Sequence, residues 1–284
     1  MSDEIVARNR LRLLPPIRRS RQWRLYAEDG RRFLDFWMDG GRSLLGAKGR
    51  TLGTVAKAAV DTGLTRPFPS IHEARLEKAL LARYPGYAAV RLFRDEGRAA
   101  AAAAAFLPPG EILETLMPFA EHYSAPVADA AGVVTPGVTA LGVTTPGVTT
   151  PRFPCPVAFA PAVLLFRDAQ AARTVSSDLL PPLSLACAHR AIFELIRFEE
   201  DYTEELWKKT DRRLGPYFER RGPYLRPRAA LTAGEGGYDR LFAAALGAGI
   251  LLSPDPAQPS MVPGEFDDGE LHKLAKALVA IQKP

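Results

Sequence analysis

VRLFRDEGRAAAAAAAF, residues 90–106, is the stretch on which the reading of the fold turns. Ala88–Phe93 is a short apolar run of the kind that forms a buried strand. Ala99–Ala105 are seven consecutive alanines, and alanine is the best helix former. Their small side chains predict a helix packed closely on a sheet. Asp95-Glu96 stands at the start of that helix, and Pro108-Pro109-Gly110 closes it. Strand, acidic turn and helix in succession are the unit of an α/β protein.

The same alternation continues outward. Residues 23–37, WRLYAEDGRRFLDFW, read as a β-hairpin turning on Asp29-Gly30. Leu52, Val55, Ala59 and Val60 predict a helix over 51–62. Ser70-Ile71-His72-Glu73 fits a capping box, opening a helix that Pro85-Gly86 ends. Residues 111–119 suit a strand or a short helix. Residues 154–166, PCPVAFAPAVLLF, are a buried strand region. Leu183–Phe198 is a strong helix whose pattern runs on through Tyr202, Leu206 and Trp207 until Gly215-Pro216. YLRPRAAL (224–231) is strand-like. A helix over 238–246, a strand at Ile250–Leu252 and a last helix over 268–281 complete the chain.

Composition narrows the function classes. The 284 residues are 47% hydrophobic and 24% charged, as ordinary globular chains are. The net charge of +5 comes mostly from scattered arginines. The one dense basic stretch, Arg8–Arg24, lacks the aromatic partners of a nucleic-acid surface and reads as a solvated arm whose stems cover apolar surface. A nucleic-acid partner is disfavoured. Cys155 and Cys187 form no disulfide framework and read as buried free thiols. His72, His122, His189 and His272 match no metal-ligand spacing, so no metal is expected. The N-terminus has no signal-peptide core and no apolar run is long enough to span a bilayer, which predicts a soluble cytoplasmic protein.

Four stretches together resemble the class III aminotransferases, pyridoxal-phosphate enzymes of fold type I. LYAEDGRRFLDF looks like the family's entry hairpin. IHEARLEKALLARYPG looks like the helix before its large-domain sheet. VRLFRDEGRAAAAAAAF sits where the family has strand, phosphate turn and helix, and YDRLF…LAKAL (238–278) looks like its small C-terminal domain. The resemblance implies a reduced large domain with a central sheet plus a small C-terminal α/β domain. It divides the chain into an N-terminal arm and hairpin (1–45) packing with the C-terminal domain, the large domain (46–200) and the small domain (201–284). It also implies a homodimer.

The chemistry that the resemblance implies is not matched. Such an enzyme needs a lysine amine to hold its cofactor covalently. The lysines are Lys48, Lys57, Lys78, Lys208, Lys209, Lys273, Lys276 and Lys283, and none lies between residues 79 and 207. The ring carboxylate, an Asp-Glu pair after a buried strand, has no counterpart among Glu111, Glu114, Glu121, Asp129 and Asp168. The phosphate turn keeps Gly97 for close backbone approach and Arg98 as a phosphate partner, but Asp95 and Glu96 repel a dianion at the same helix end. The loop QPSMVPGEFDD (258–268) has no arginine to clamp a substrate carboxylate.

Residues 132–151, GVVTPGVTALGVTTPGVTTP, are four pentads in place of the segment that would carry the missing groups. Their Pro and Gly predict a loop-like linker over 131–151 with no half-buried strand. The sequence therefore predicts a truncated, degenerate aminotransferase-like protein with no catalytic residue, a vestigial cofactor-binding turn at Gly97 and Arg98, no cofactor, and a scaffold or binding role. The alternative is an active pyridoxal-phosphate enzyme with a rearranged site using Lys48 or Lys208. A different enzyme class would draw on Asp95, Glu96, His122 and His189.

Overall fold

The computed structural model describes residues 3–47, 51–108, 110–123 and 147–282. The chain divides into two compact units, one of residues 50–197 and one of residues 1–49 with 198–284.

The unit of residues 50–197 is organised by one strand, Ala162–Phe166. It pairs antiparallel with Ala89–Phe93 on one side (Val90 opposite Leu165) and with Val148–Pro151 on the other. Val148–Pro151 in turn pairs parallel with Thr115–Leu116. Side chains alternate across a strand, so the run Val163-Leu164-Leu165-Phe166 must bury both faces. Val163 and Leu165 pack with Leu76 and Leu80 of the helix Ile71–Arg83 and with Ala188 and Ile192 of the helix Pro182–Glu199. Leu164 and Phe166 point the other way, onto Ala99 and Ala103 of the helix Glu96–Ala103. Ala99 and Ala103 are four residues apart, on one helical face, and their methyl-sized side chains let that helix lie close to the sheet. Each of these leucines and isoleucines, fully buried, contributes roughly 1.5–3 kcal/mol of apolar transfer.

Local signals start and stop the elements. Ser70 caps the helix Ile71–Arg83, its hydroxyl accepting from the His72 N–H at 3.2 Å. The last pentad departs from its expected loop. Gly147 aside, it forms the strand Val148–Pro151, with Val148 and Thr149 fully buried. The proline at its end gives up a hydrogen bond at the strand terminus, where little is lost. The rest of the repeat, residues 132–146, lies outside the described residues. The helix expected to run on past Phe198 instead stops at Glu199, and a short helix, Glu204–Trp207, follows.

The second unit joins both ends of the chain. Its four-stranded sheet runs Ile17–Arg21, Arg24–Ala27, Arg32–Asp35 and Ile250–Leu251, the last pair parallel. A three-stranded sheet holds Ser260–Met261, Tyr224–Pro227 and Phe218–Arg221. The helices Gly237–Gly247 and Asp268–Gln282 bury Leu241, Phe242, Leu271, Leu274 and Leu278. The basic arm is less solvated than its composition suggests. Residues Asp3–Leu11 are helical, and Arg10 reaches Asp239 at 2.6 Å and the Pro254 carbonyl at 2.7 Å. Arg24 is buried and bonded to Glu270 at 2.9 and 3.0 Å and to Glu265 at 3.1 Å. Only Ile17–Arg21 is exposed throughout, as an arginine-bearing edge strand that resists pairing with other chains.

After the hairpin the backbone is strained. Met38 and Asp39 both take left-handed φ, at 47° and 49°, ahead of Gly40 and Gly41. Asp35 holds this bend: one carboxylate oxygen accepts the Trp37 N–H at 2.9 Å and the Met38 N–H at 2.8 Å. Asp35 is half-buried by area but densely surrounded, and burial pushes its carboxyl up to about 6. A carboxyl raised in the folded state favours folding most below its unfolded value near 3.8, and that contribution is lost as pH rises through about 6. Asp35→Asn keeps the accepting oxygen and removes the charge. It is expected to stabilise the protein by about 1–2 kcal/mol above pH 6, with the gain vanishing near pH 4. Urea denaturation at the two pH values measures this; a gain independent of pH would refute the assignment.

Candidate functional site

The turn at Gly97 and Arg98 is assembled from two strands of chain about eighty residues apart. The segment Val175–Asp178 runs along the open edge of the strand Ala89–Phe93. The Asp178 N–H donates to the Leu92 carbonyl at 2.8 Å, the Leu92 N–H donates to the Ser177 hydroxyl at 3.0 Å, and Arg91 Nε reaches the Val175 carbonyl at 2.7 Å. That docking delivers the Asp178 carboxylate to the turn. It accepts the Arg94 N–H at 3.1 Å and takes the Arg98 guanidinium at 2.6 to 3.1 Å through both Nε and Nη2.

Asp95 is the cap of the helix Glu96–Ala103. Its side chain accepts the Arg98 N–H at 2.8 Å. Gly97 leaves room for this: a Cβ there would stand 3.3 Å from Asp95 Oδ1. The helix end that would receive an anion is thus faced by Asp95, with Glu96 in its first turn, and the Arg98 side chain is committed to Asp178. Arg98 above all, with the Arg94 N–H, holds the Asp178 carboxyl below the usual carboxylate range.

The lysines lie elsewhere. Lys57 and Lys78 are exposed on the helices Thr51–Asp61 and Ile71–Arg83; Lys208, Lys209, Lys273 and Lys276 are exposed as well. Lys48 and Lys283 lie outside the described residues. Of the other residues considered for chemistry, Asp95 is the helix cap and Glu96 its first residue. His122 sits in the short helix Ala120–Tyr123, 3.8 Å from Glu121, and His189 lies against Phe193. Burial, with Arg75 close by, lowers the His189 pKa, which keeps that ring neutral. Cys187 is buried and free, its thiol pushed up to about 11, so it is a packing residue; Cys155 is buried and not in a disulfide. Among the described residues no group of three or more His, Cys, Asp or Glu could hold a metal ion, and no helix is long and apolar enough to cross a membrane.

No family model matches the chain. An uncharacterized protein of Treponema pallidum (strain Nichols) is 29% identical over 294 aligned positions, which cover 87% of this chain and 88% of that protein. One from Borreliella burgdorferi is 31% identical over 83 residues, or 29% of this chain and 31% of that protein. Among solved structures, an ω-transaminase from Sphaerobacter thermophilus superposes with a TM-score of 0.62 at 12% identity, covering 99% of this chain and 97% of that one. The ornithine aminotransferase from Toxoplasma gondii, with partial occupancy of PLP at its active site, gives 0.65 at 12%, covering 100% and 96%. N-acetylornithine aminotransferase from Stenotrophomonas maltophilia K279a gives 0.58 at 16%, covering 93% and 94%. The chain is therefore an α/β protein, with mixed sheets, that has the fold of the class III aminotransferases.

Asp178 is the residue at this turn that the sequence does not single out. Its lowered pKa means that the pair with Arg98 supports folding above the unfolded carboxyl value and ceases to do so as pH falls through the folded one. Asp178→Asn is expected to lower the unfolding midpoint at pH 7 by on the order of 2–4 °C, with the difference from the parent shrinking as the pH falls below the unfolded carboxyl value of 3.8. Circular dichroism melts at both pH values give the result, and a difference that persists in acid would show that the charge is not what matters.

Proposed function

We propose that this chain is an aminotransferase-fold protein that does not transaminate and acts as a binding or scaffold protein. The observation that carries the reading is the lysine pattern. No lysine lies between residues 79 and 207, and each described lysine is exposed on the protein surface. A pyridoxal cofactor is held through a primary amine in an enclosed site. The turn at Gly97 supports the same reading. A phosphate dianion seated there would face Asp95 and Glu96, and would have to draw Arg98 away from Asp178. Charge-assisted, multidentate pairs of that kind are among the stronger polar contacts a protein makes. The residues present do not fit pyridoxal phosphate.

The test uses the full chain with pyridoxal phosphate. With Lys273→Gln and Lys276→Gln in place, so that the two exposed amines of the last helix cannot capture the aldehyde, the expected outcome is no saturable absorbance band at roughly 400–430 nm and, after borohydride reduction, no lysine labelled beyond the level of an unfolded control. A saturable band that disappears on replacing one lysine, with Lys48→Ala and Lys208→Ala the first variants to make, would overturn the proposal.

A further inference from the structure

The unit formed by the two chain ends satisfies most of its buried or half-buried cations. Arg10, Arg24, Arg213 and Arg220 each reach carboxylates. Lys273 and Lys276 differ. They stand three residues apart on the helix Asp268–Gln282, hence on one face. Both are exposed, and among the described residues neither has a carboxylate within ion-pairing distance. Both line a cavity of about 560 Å³, a size that suits a small molecule.

The other walls of the cavity are the start of the strand Arg32–Asp35 and the turn after the helix Gly237–Gly247. Gly249 makes this arrangement possible. Its φ is +81°, and a Cβ there would lie 3.0 Å from the Arg32 carbonyl oxygen. Arg31 and Arg32 add two more cations to the lining, but these are compensated: Arg31 is 2.8 Å from Asp29 and Arg32 is 3.2 Å from Glu270. Two ammonium charges remain. Between them and the arginines the lining is apolar, with Ala277 and Ala280 at its surface and the buried Phe33 beneath, and the two alanines leave the space that larger side chains on that helix face would fill.

We propose that this cavity is a binding site for a small soluble phosphate monoester with a compact apolar body. Two uncompensated ammonium groups match a phosphate dianion, whereas a monocarboxylate would leave one charge unanswered. Lysines bind phosphate as point charges, without the planar geometry an arginine demands. The apolar body lies against Ala277 and Ala280. The cavity belongs to the unit formed by the two chain ends and the turn at Gly97 to the other unit, and the inference holds whether or not the chain transaminates.

Phenyl phosphate is the probe, titrated calorimetrically into the full-length protein beside inorganic phosphate and benzoate. Phenyl phosphate is expected to saturate a single site and to bind about tenfold tighter than either. It is also expected to protect Lys273 and Lys276, but not Lys57 or Lys78, from acetic anhydride as read by mass spectrometry. Replacing both lysines (Lys273→Gln with Lys276→Gln) should weaken it at least about tenfold. Ala280→Glu, at an exposed position where the fold tolerates change, should do the same by placing a carboxylate in the cavity. No saturable binding, affinity unchanged in either variant, equal protection of Lys57 and Lys78, or equal affinity for inorganic phosphate would each overturn the proposal.

Discussion

A strand buried on both faces cannot stand without a layer on each side, and Ala162–Phe166 is such a strand. Val163 and Leu165 require one set of partners and Leu164 and Phe166 another, because successive side chains leave a strand in opposite directions. The two helices Ile71–Arg83 and Pro182–Glu199 answer the first demand with leucine and isoleucine. The helix Glu96–Ala103 answers the second with alanine, whose methyl side chains permit a close approach. The position of the turn at Gly97 follows directly. It is the connection from the paired strand Ala89–Phe93 to the helix packed on the sheet, and each end of it is anchored by pairing or packing.

That anchoring gives the ion pairing at the turn its meaning. Asp178 is not a mobile surface acid that happens to meet Arg98. Its backbone is hydrogen-bonded to Leu92, and the neighbouring Ser177 and Val175 hold the same strand edge. The carboxylate is therefore presented to Arg98 and to the Arg94 N–H with little further ordering cost. An exposed ion pair between two free side chains is worth little, because both must be immobilised to form it. Here one partner is already fixed. The pair also covers an open sheet edge, so the same few residues close the edge and neutralise the helix entrance.

Much of this fold was legible because its signals are local. Asp29-Gly30 dictates a tight turn, Ser70 supplies a cap three residues before Glu73, and Ala99–Ala105 can hardly be other than helical. Residues whose roles depend on distant partners were not legible. Nothing near residue 178 in the chain marks Asp178 as the companion of Arg98. The pentad 147–151 is spelled like the one before it, so its composition announces a loop. It becomes a strand because Ala162–Phe166 and Thr115–Leu116 offer it two edges. Tertiary pairing overrides a weak local preference, as strand propensity commonly allows. The pattern that ran on beyond Phe198 misled for the related reason that apolar spacing survives a break: Tyr202 and Trp207 are buried, but against one another and Phe198 across a bend.

The fold and the chemistry expected of it rest on different residues, and that is why one can be present without the other. The layers around Ala162–Phe166 are held by leucine, isoleucine, valine and alanine, none of which a covalent catalyst needs for its reaction. A cofactor site asks instead for an amine, a carboxylate and an anion receptor at particular places, and each is a cost to stability when unoccupied: a desolvated amine, a buried acid, an open helix end. Substituting a capping Asp95 and an Arg98–Asp178 pair at such a helix end removes that cost. At the turn of this chain the entrance is faced by Asp95 and the Arg98 guanidinium is bonded to Asp178, an arrangement that supports the proposed non-catalytic reading.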